Sequence, residues 1–381
     1  MIPWLWISPA LAVSWCAAPL IVHEWGVAVL RTDGVEAVGA PIPSWFHTEA
    51  PPPAVVETAV RHLPPDSGIR TLPVVQLYAP PMWSDPVPVA LEVGFTQGSA
   101  SVWYPQVDEH RPAAEANGAI ASAARARLVA QRAERIPYRP QTLPPLPPDP
   151  TRQLAWHALT LQRTPTAPVH PARLGWVQAL RETPGSLWIE QGGVSERFLF
   201  YEADTREIPA LRLSRAPRSG ADRALVVRNR SDWIVHDVIV ASGGRVATLP
   251  AVPAGATATI HLDTPLDRDA LLDWLRHRWI DPDQPGPPTD HHTALDPCEM
   301  MRDPAVPLER SDTHRLYEAE LEVLLSVWAD RLLEASDTHL VYREDTAALD
   351  AAMPLSLYTD MYHFMQLSRL GVVLVEGLQL P

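Results

Sequence analysis

The chain has 381 residues, a net charge of −14, a hydrophobic fraction of 46% and 14 Trp. That excludes a disordered chain and leaves room for roughly two or three structural units around a buried core. The acidic balance argues against a nucleic-acid phosphate partner, which needs a basic face. All 31 basic residues are Arg and none is Lys, and 42 residues are Pro, the bias of a GC-rich genome.

Residues 1–22 are uncharged and apolar, which suits a secretory leader centred on Ile7 to Trp15. The leader has no basic n-region, and its small pair Ala17-Ala18 stands before Pro19, a poor residue after a cut. An uncleaved membrane span is the alternative reading, interrupted by Pro3, Pro9 and Pro19. If the leader leaves, Cys298 is the sole remaining cysteine, so no internal disulfide can form and the fold must stand on its core.

From Ile21 the run IVHEWGVAVLR predicts a strand ending at Thr32-Asp33-Gly34. Leu72 to Tyr78 fits a buried strand, Val87 to Phe95 alternates at period two, and Ser99 to Tyr104 fits another strand. Residues 111–150 combine an Ala- and Arg-rich helical arm with a polyproline-type linker. Short strands follow from Leu154 to Leu262, punctuated by Gly192-Gly193 and Gly243-Gly244, in the manner of an antiparallel sandwich. Beyond Thr264 the pattern turns helical. Asp267 to Trp279 is amphipathic, and Ser311 to Ala335 carries one continuous stripe of Tyr317, Leu321, Leu324, Leu325, Trp328 and Leu332. A short helix over Thr359 to Leu367 and strands over Leu340 to Arg343 and Leu370 to Glu376 close the chain.

The expected fold is therefore α+β and β-rich: antiparallel β-sandwich elements of Ig-like character with a C-terminal helical and mixed segment. The expected units are the leader 1–22, a β-rich region 23–110, the insertion and linker 111–150, a β-sandwich region 151–265, and an α/β segment 266–381 with its long helix over 311–335.

His23 and Glu24 are the chemistry-capable pair nearest a recognisable signature. A neutral imidazole beside a carboxylate can bind zinc or move a proton. In a strand, however, neighbouring side chains point to opposite faces, so each needs its own partners. The His-Glu-x-x-His pattern of zinc proteases is absent, since position 27 is Val. His47 and Glu49, two apart on an extended stretch, face the same way but lack a marked third ligand. Asp290-His291-His292 with Cys298-Glu299 is the densest set of ligand-type residues; it lies in a Pro-rich loop at a spacing that matches no established zinc site, so a solvated loop is preferred. No nucleophile elbow, phosphate loop or dinucleotide fingerprint occurs.

Val22-His23-Glu24-Trp25-Gly26, followed by an apolar strand, resembles a family of uncharacterised exported bacterial proteins with a His-Glu-Trp-Gly-Thr signature just after the signal peptide. Further echoes are Val102-Trp103-Tyr104-Pro105, Arg181-Glu182-Thr183, Glu196 to Tyr201, Val327-Trp328, Leu340-Val341-Tyr342 and Pro354 to Leu357. Val27 departs from the signature's Thr, and Glu202-Ala203 stands where the family has Arg-Gly. The resemblance implies export and architecture, not a reaction.

These motifs suggest that His23, Glu24, Trp25, Arg181 and Tyr201 meet, either as a buried polar network that sets strand register or as the lining of a pocket for a polar ligand. The functional expectation is an exported, periplasmic or extracellular protein of the envelope. It binds or supports without catalysis, with a polar ligand, a glycan or an envelope protein as partner and no cofactor. It contacts the membrane only through an uncleaved leader. The alternative is a metal-dependent or acid–base hydrolase using His23 and Glu24, with zinc as its cofactor; His291, His292 and Cys298 are the weaker metal candidates.

Overall fold

A computed structural model describes residues 20–31, 37–38, 41–48, 60–61, 67–79, 86–111, 153–205, 207–216, 224–280, 282, 285–287, 314–334, 337–358 and 365–378. The protein is β-rich, with mixed and antiparallel sheets and a few short helices. The expectations for 1–19, for most of the insertion 111–150, for Glu49 and for the loop from Asp290 to Glu299 lie outside the described residues.

The first described strand, Leu20–Arg31, and the last, Met365–Glu376, lie side by side in parallel at the centre of a ten-stranded sheet. Every other neighbouring pair of that sheet is antiparallel. On one flank follow His339–Glu344, Val235–Ser242, Arg245–Val252 and Thr264–Pro265; on the other Ser67–Tyr78, Leu199–Thr205, Gly98–Tyr104 and His47–Thr48. Strands from 23–110, 151–265 and 266–381 thus share one sheet. The two central strands are covered on both faces, which explains why Leu20–Arg31 is apolar nearly throughout instead of alternating.

Alternation divides their side chains between two cores. Trp25, Val27 and Val29 face three helices: α1 (Gly175–Glu182), α2 (Arg268–Trp279) and α3 (Glu318–Leu332). Leu20 and Val22 face the other way, toward a six-stranded sheet whose Val87, Val89, Leu91 and Val93 present one strand's buried face. Ala28 and Leu30, further along that same face, pack on a three-stranded sheet of Leu211–Arg215, Ala224–Asn229 and Thr257–His261. A short helix, α4 (Thr346–Ala352), adds Leu349 and Ala352 to the core shared with the six-stranded sheet.

Local chemistry accounts for the element ends. Asp267 caps α2 by accepting from the Ala270 N–H at 3.1 Å, and Leu271, Leu275 and Trp279 form its buried stripe. Glu320 accepts from the Tyr317 N–H at 2.9 Å at the start of α3, and the expected stripe from Tyr317 to Leu332 is buried. Pro73, in the central strand Ser67–Tyr78, lies where the register shifts against Trp25 and Val27, a bulge where a missing N–H costs little. Gly192-Gly193 and Gly243-Gly244 hold φ of 59°, 80°, 56° and 72° in two-residue hairpin turns that need positive φ at both positions.

Three expectations change. The long helix is confined to Glu318–Leu332, because Leu316 is held extended by its bridge to Ile280 and Tyr317 caps the first turn. Of the helix expected over Thr359 to Leu367, the described Met365 to Leu367 are strand instead, since pairing with Leu20–Val22 overrides local propensity. Helices α1 and α4 were not expected; at 8 and 7 residues they are too short to show a clear period.

Gly98 tests the closeness of this packing. A Cβ there would run into the Asp204 carbonyl of the neighbouring strand. Gly98→Ala is expected to lower the unfolding free energy by more than about 2 kcal/mol in denaturant titration; an unchanged midpoint would contradict the close approach.

Candidate functional site

The signature tetrad lies at the sheet's centre, and alternation separates its two titratable residues. His23 points to the helical face, where its Nδ1 meets Oε2 of Glu320 from the first turn of α3 at 2.6 Å. The same oxygen takes the Tyr317 N–H, so one carboxylate joins the strand's imidazole to the helix cap. The rings of Tyr317 and Tyr78 flank His23 at 4.5 and 5.4 Å between centroids. Burial, reinforced by the Glu320 carboxylate, pushes the Tyr78 phenol well above its ordinary pKa, so it stays neutral.

Glu24 points the opposite way into a second buried group. Arg369, its register partner on the last strand, donates Nε–H to Oε2, and the Tyr201 hydroxyl donates to Oε1. Arg369 also donates from Nη1 to Asp350 of α4 at 2.6 Å. Glu24, Arg369, Asp350 and Tyr201 are all buried. Burial works against the Arg369 charge, but the Glu24 and Asp350 carboxylates outweigh it and raise its pKa further, so it stays a cation. Burial, then the Glu24 charge, holds the Tyr201 phenol protonated as a donor.

Beside this group, Arg70 makes forked bonds to two carboxylates, Glu207 at 2.7 and 2.7 Å and Glu344 at 2.8 and 2.9 Å. Glu24, Gly26, Arg70, Leu349, Met353 and Gly371 border a crevice of about 10 Å³, room for about one water. Gly26 and Gly371 face each other across the parallel pair, and a Cβ on Gly371 would meet Glu344 Oε2 at 2.9 Å and Leu349 Cδ2 at 3.1 Å. The glycine here lets α4 close on the sheet.

The remaining expected site residues part company. Trp25 packs in the helix-side core. Arg181, at the end of α1, pairs with Glu196 at 2.9 and 2.5 Å and with the His170 carbonyl at 2.6 Å, on the helical face and away from Glu24. Tyr201 and Glu24 do meet. Arg369, Asp350 and Glu320 complete the two groups and were not singled out by motif. An Arg inside the apolar run Leu367 to Val375 is itself a signal, since such a residue is buried only with a partner. Glu202, where the resembled family has Arg, is fully buried.

His47 is half-buried, its ring 6.4 Å from that of Tyr104; burial, then the His170 charge, lowers its pKa. Among the described residues no three His, Cys, Asp or Glu side chains are grouped to hold a metal. The chain matches no protein-family model, and no curated protein matches it either.

A further ionic node lies on the flanking strands. Asp237, at a bulge with φ 51°, accepts from Arg343 at 2.7 Å, from Trp279 Nε1 at 3.0 Å and from Arg278. Burial alone would raise the Asp237 carboxyl, but Arg343 and Arg278 prevail and hold it below the usual range. A depressed folded pKa gives stability that is present above the unfolded value of about 4 and is lost as pH falls through the folded one. Asp237→Asn, which tolerates the same backbone, is expected to cost about 3–5 kcal/mol at pH 7. It should also flatten the loss of stability between about pH 5 and 2. Unfolding curves across that range check both, and an equally steep acid limb in the variant would contradict the assignment. Tyr201→Phe is expected to cost about 1.5–3 kcal/mol by the same measurement, the range for a bond to a charged acceptor.

Proposed function

We propose that the protein is an exported, non-catalytic binding or structural protein of the bacterial envelope, in which the His-Glu-Trp-Gly strand fastens the fold. One observation carries this reading: both chemistry-capable side chains of the tetrad are engaged inside the protein. Arg369 and Tyr201 take the Glu24 carboxylate, and Glu320 takes the His23 ring. The crevice beside Glu24 has room for about one water, too little for a substrate.

Export is supported by the apolar leader and by the resemblance to exported proteins that carry this signature. No helix among the described residues is long and apolar enough to cross a membrane. The Ig-like reading is supported by residues 224–261: two hairpin-linked strands, Val235–Ser242 and Arg245–Val252, share a core with Ala224–Asn229 and Thr257–His261 of the facing three-stranded sheet. For the partner, a glycan or other polar ligand is favoured by the half-buried Trp45, stacked on His170 at 5.0 Å with the Arg181 guanidinium 5.9 Å from its ring.

The hydrolase reading draws on the His23–Glu320 pair, since a carboxylate on Nδ1 is how a catalytic imidazole is oriented. Metal analysis and calorimetry on the purified protein with its His23→Ala and Glu24→Ala variants separate the two. The fastening role predicts no stoichiometric zinc and a loss of about 1.5–3 kcal/mol in Glu24→Ala, which removes one of the two carboxylates on Arg369 and the acceptor of the Tyr201 hydroxyl. Zinc bound one to one and lost in His23→Ala would overturn it.

A further inference from the structure

The outer face of the three-stranded sheet carries an arrangement that the fold does not use. Arg212 and Arg228 are directly opposite each other on paired strands, and both are exposed. Like charges in that position repel. Among the described residues neither makes an ion pair, although the chain carries a net charge of −14. Arg230, two residues beyond Arg228, is exposed as well and extends the basic face toward the end of the sheet.

At that same end the protein shows its exposed large hydrophobic side chains. Among the described residues these are Ile208, 66% exposed, and Ile234, 43% exposed. Ile208 precedes Leu211–Arg215 and Ile234 follows Ala224–Asn229; because Leu211 pairs with Asn229, both loops leave the sheet at one end. The loops are fixed. Arg230 donates its N–H to the Ala210 carbonyl at 2.8 Å and its Nη2–H to the Pro209 carbonyl at 3.3 Å. The buried Asn229 amide donates to the carbonyls of Trp233, Val252 and Pro253 at 2.8, 2.9 and 3.1 Å, tying in the third loop. Among the described residues of these loops, Glu207 is taken by Arg70, which leaves the exposed Asp232.

We infer that this end of the molecule docks on an anionic phospholipid surface, with Arg212, Arg228 and Arg230 at the phosphate level and Ile208 and Ile234 entering the interface. A soluble polyanion would use the arginines and leave the isoleucines in water; an apolar protein partner would leave the arginine charges unmatched. A lipid interface takes both. The acidic remainder of the protein is repelled by the same surface, which orients the basic end toward it. This inference does not depend on the role of the tetrad.

Vesicle co-sedimentation of the full chain tests it, with phosphatidylcholine alone and with added phosphatidylglycerol, at low and at physiological salt. The expected result is binding to the anionic vesicles that weakens with salt. The pair Arg212→Ser with Arg228→Ser should bind about 30-fold more weakly, at about fivefold per surface charge. Ile208→Ser with Ile234→Ser should also lose binding, while neither variant lowers the thermal midpoint of the parent. Binding no stronger to anionic than to neutral vesicles would overturn the inference. So would anionic binding that both variants retain, which would mark the apolar leader as the anchor. Arginine-dependent binding competed by dextran sulfate and indifferent to the isoleucine changes would assign the face to a soluble polyanion instead.

Discussion

The contact on which the structure depends is the parallel pairing of Leu20–Arg31 with Met365–Glu376, and within it the buried bond between Glu24 and Arg369. These strands come from opposite ends of the chain, yet they are the middle of the largest sheet, and two separate cores form on their faces. The sheet therefore cannot close until the last strand has been made. A fold that closes through so distant a pair is slow to form, because loop entropy is spent before the contact rewards it.

The buried charges explain how register is selected. Apolar strands such as IVHEWGVAVLR and LSRLGVVLVE could slide past one another with small loss of burial, since most positions are interchangeable Val, Leu or Ile. A shift by one residue would carry Glu24 to the helical face and His23 to the opposite one, leaving Glu24 buried without Arg369 and Glu320 buried without His23. Such uncompensated charges cost several kcal/mol each. The same logic holds for Arg70 between Glu207 and Glu344 and for Asp237 beneath Arg343 and Trp279. Each links segments far apart in sequence, and each is satisfied in one arrangement. An apolar core supplies most of the stability, and the ion pairs decide which apolar core forms.

Much of this was legible in the sequence where the signal is local. The strands at Val87 to Gly94 and Gln153 to Gln162, the hairpin glycines and the stripe of α3 all follow from periodicity and turn chemistry. Strand alternation alone separated His23 from Glu24. The partners were not legible: Arg369 and Glu320 stand 345 and 297 residues away from the side chains they bind. Nothing in a local window indicates that the last strand lies against the first, or that segments from 23–110, 151–265 and 266–381 interleave in one sheet. Arg181 shows the converse, a motif residue expected to meet the tetrad but committed to Glu196 elsewhere. The register of the strands assigned these residues their tasks.

Glu24 and Arg369 act as one unit that holds the first and last strands of the sheet's centre in register. A double-mutant cycle on Glu24→Gln and Arg369→Gln, read by equilibrium unfolding, measures that directly. The expected coupling energy is about 2 kcal/mol or more, with the double variant less destabilised than the sum of the two singles. Additive losses, with coupling indistinguishable from zero, would contradict it.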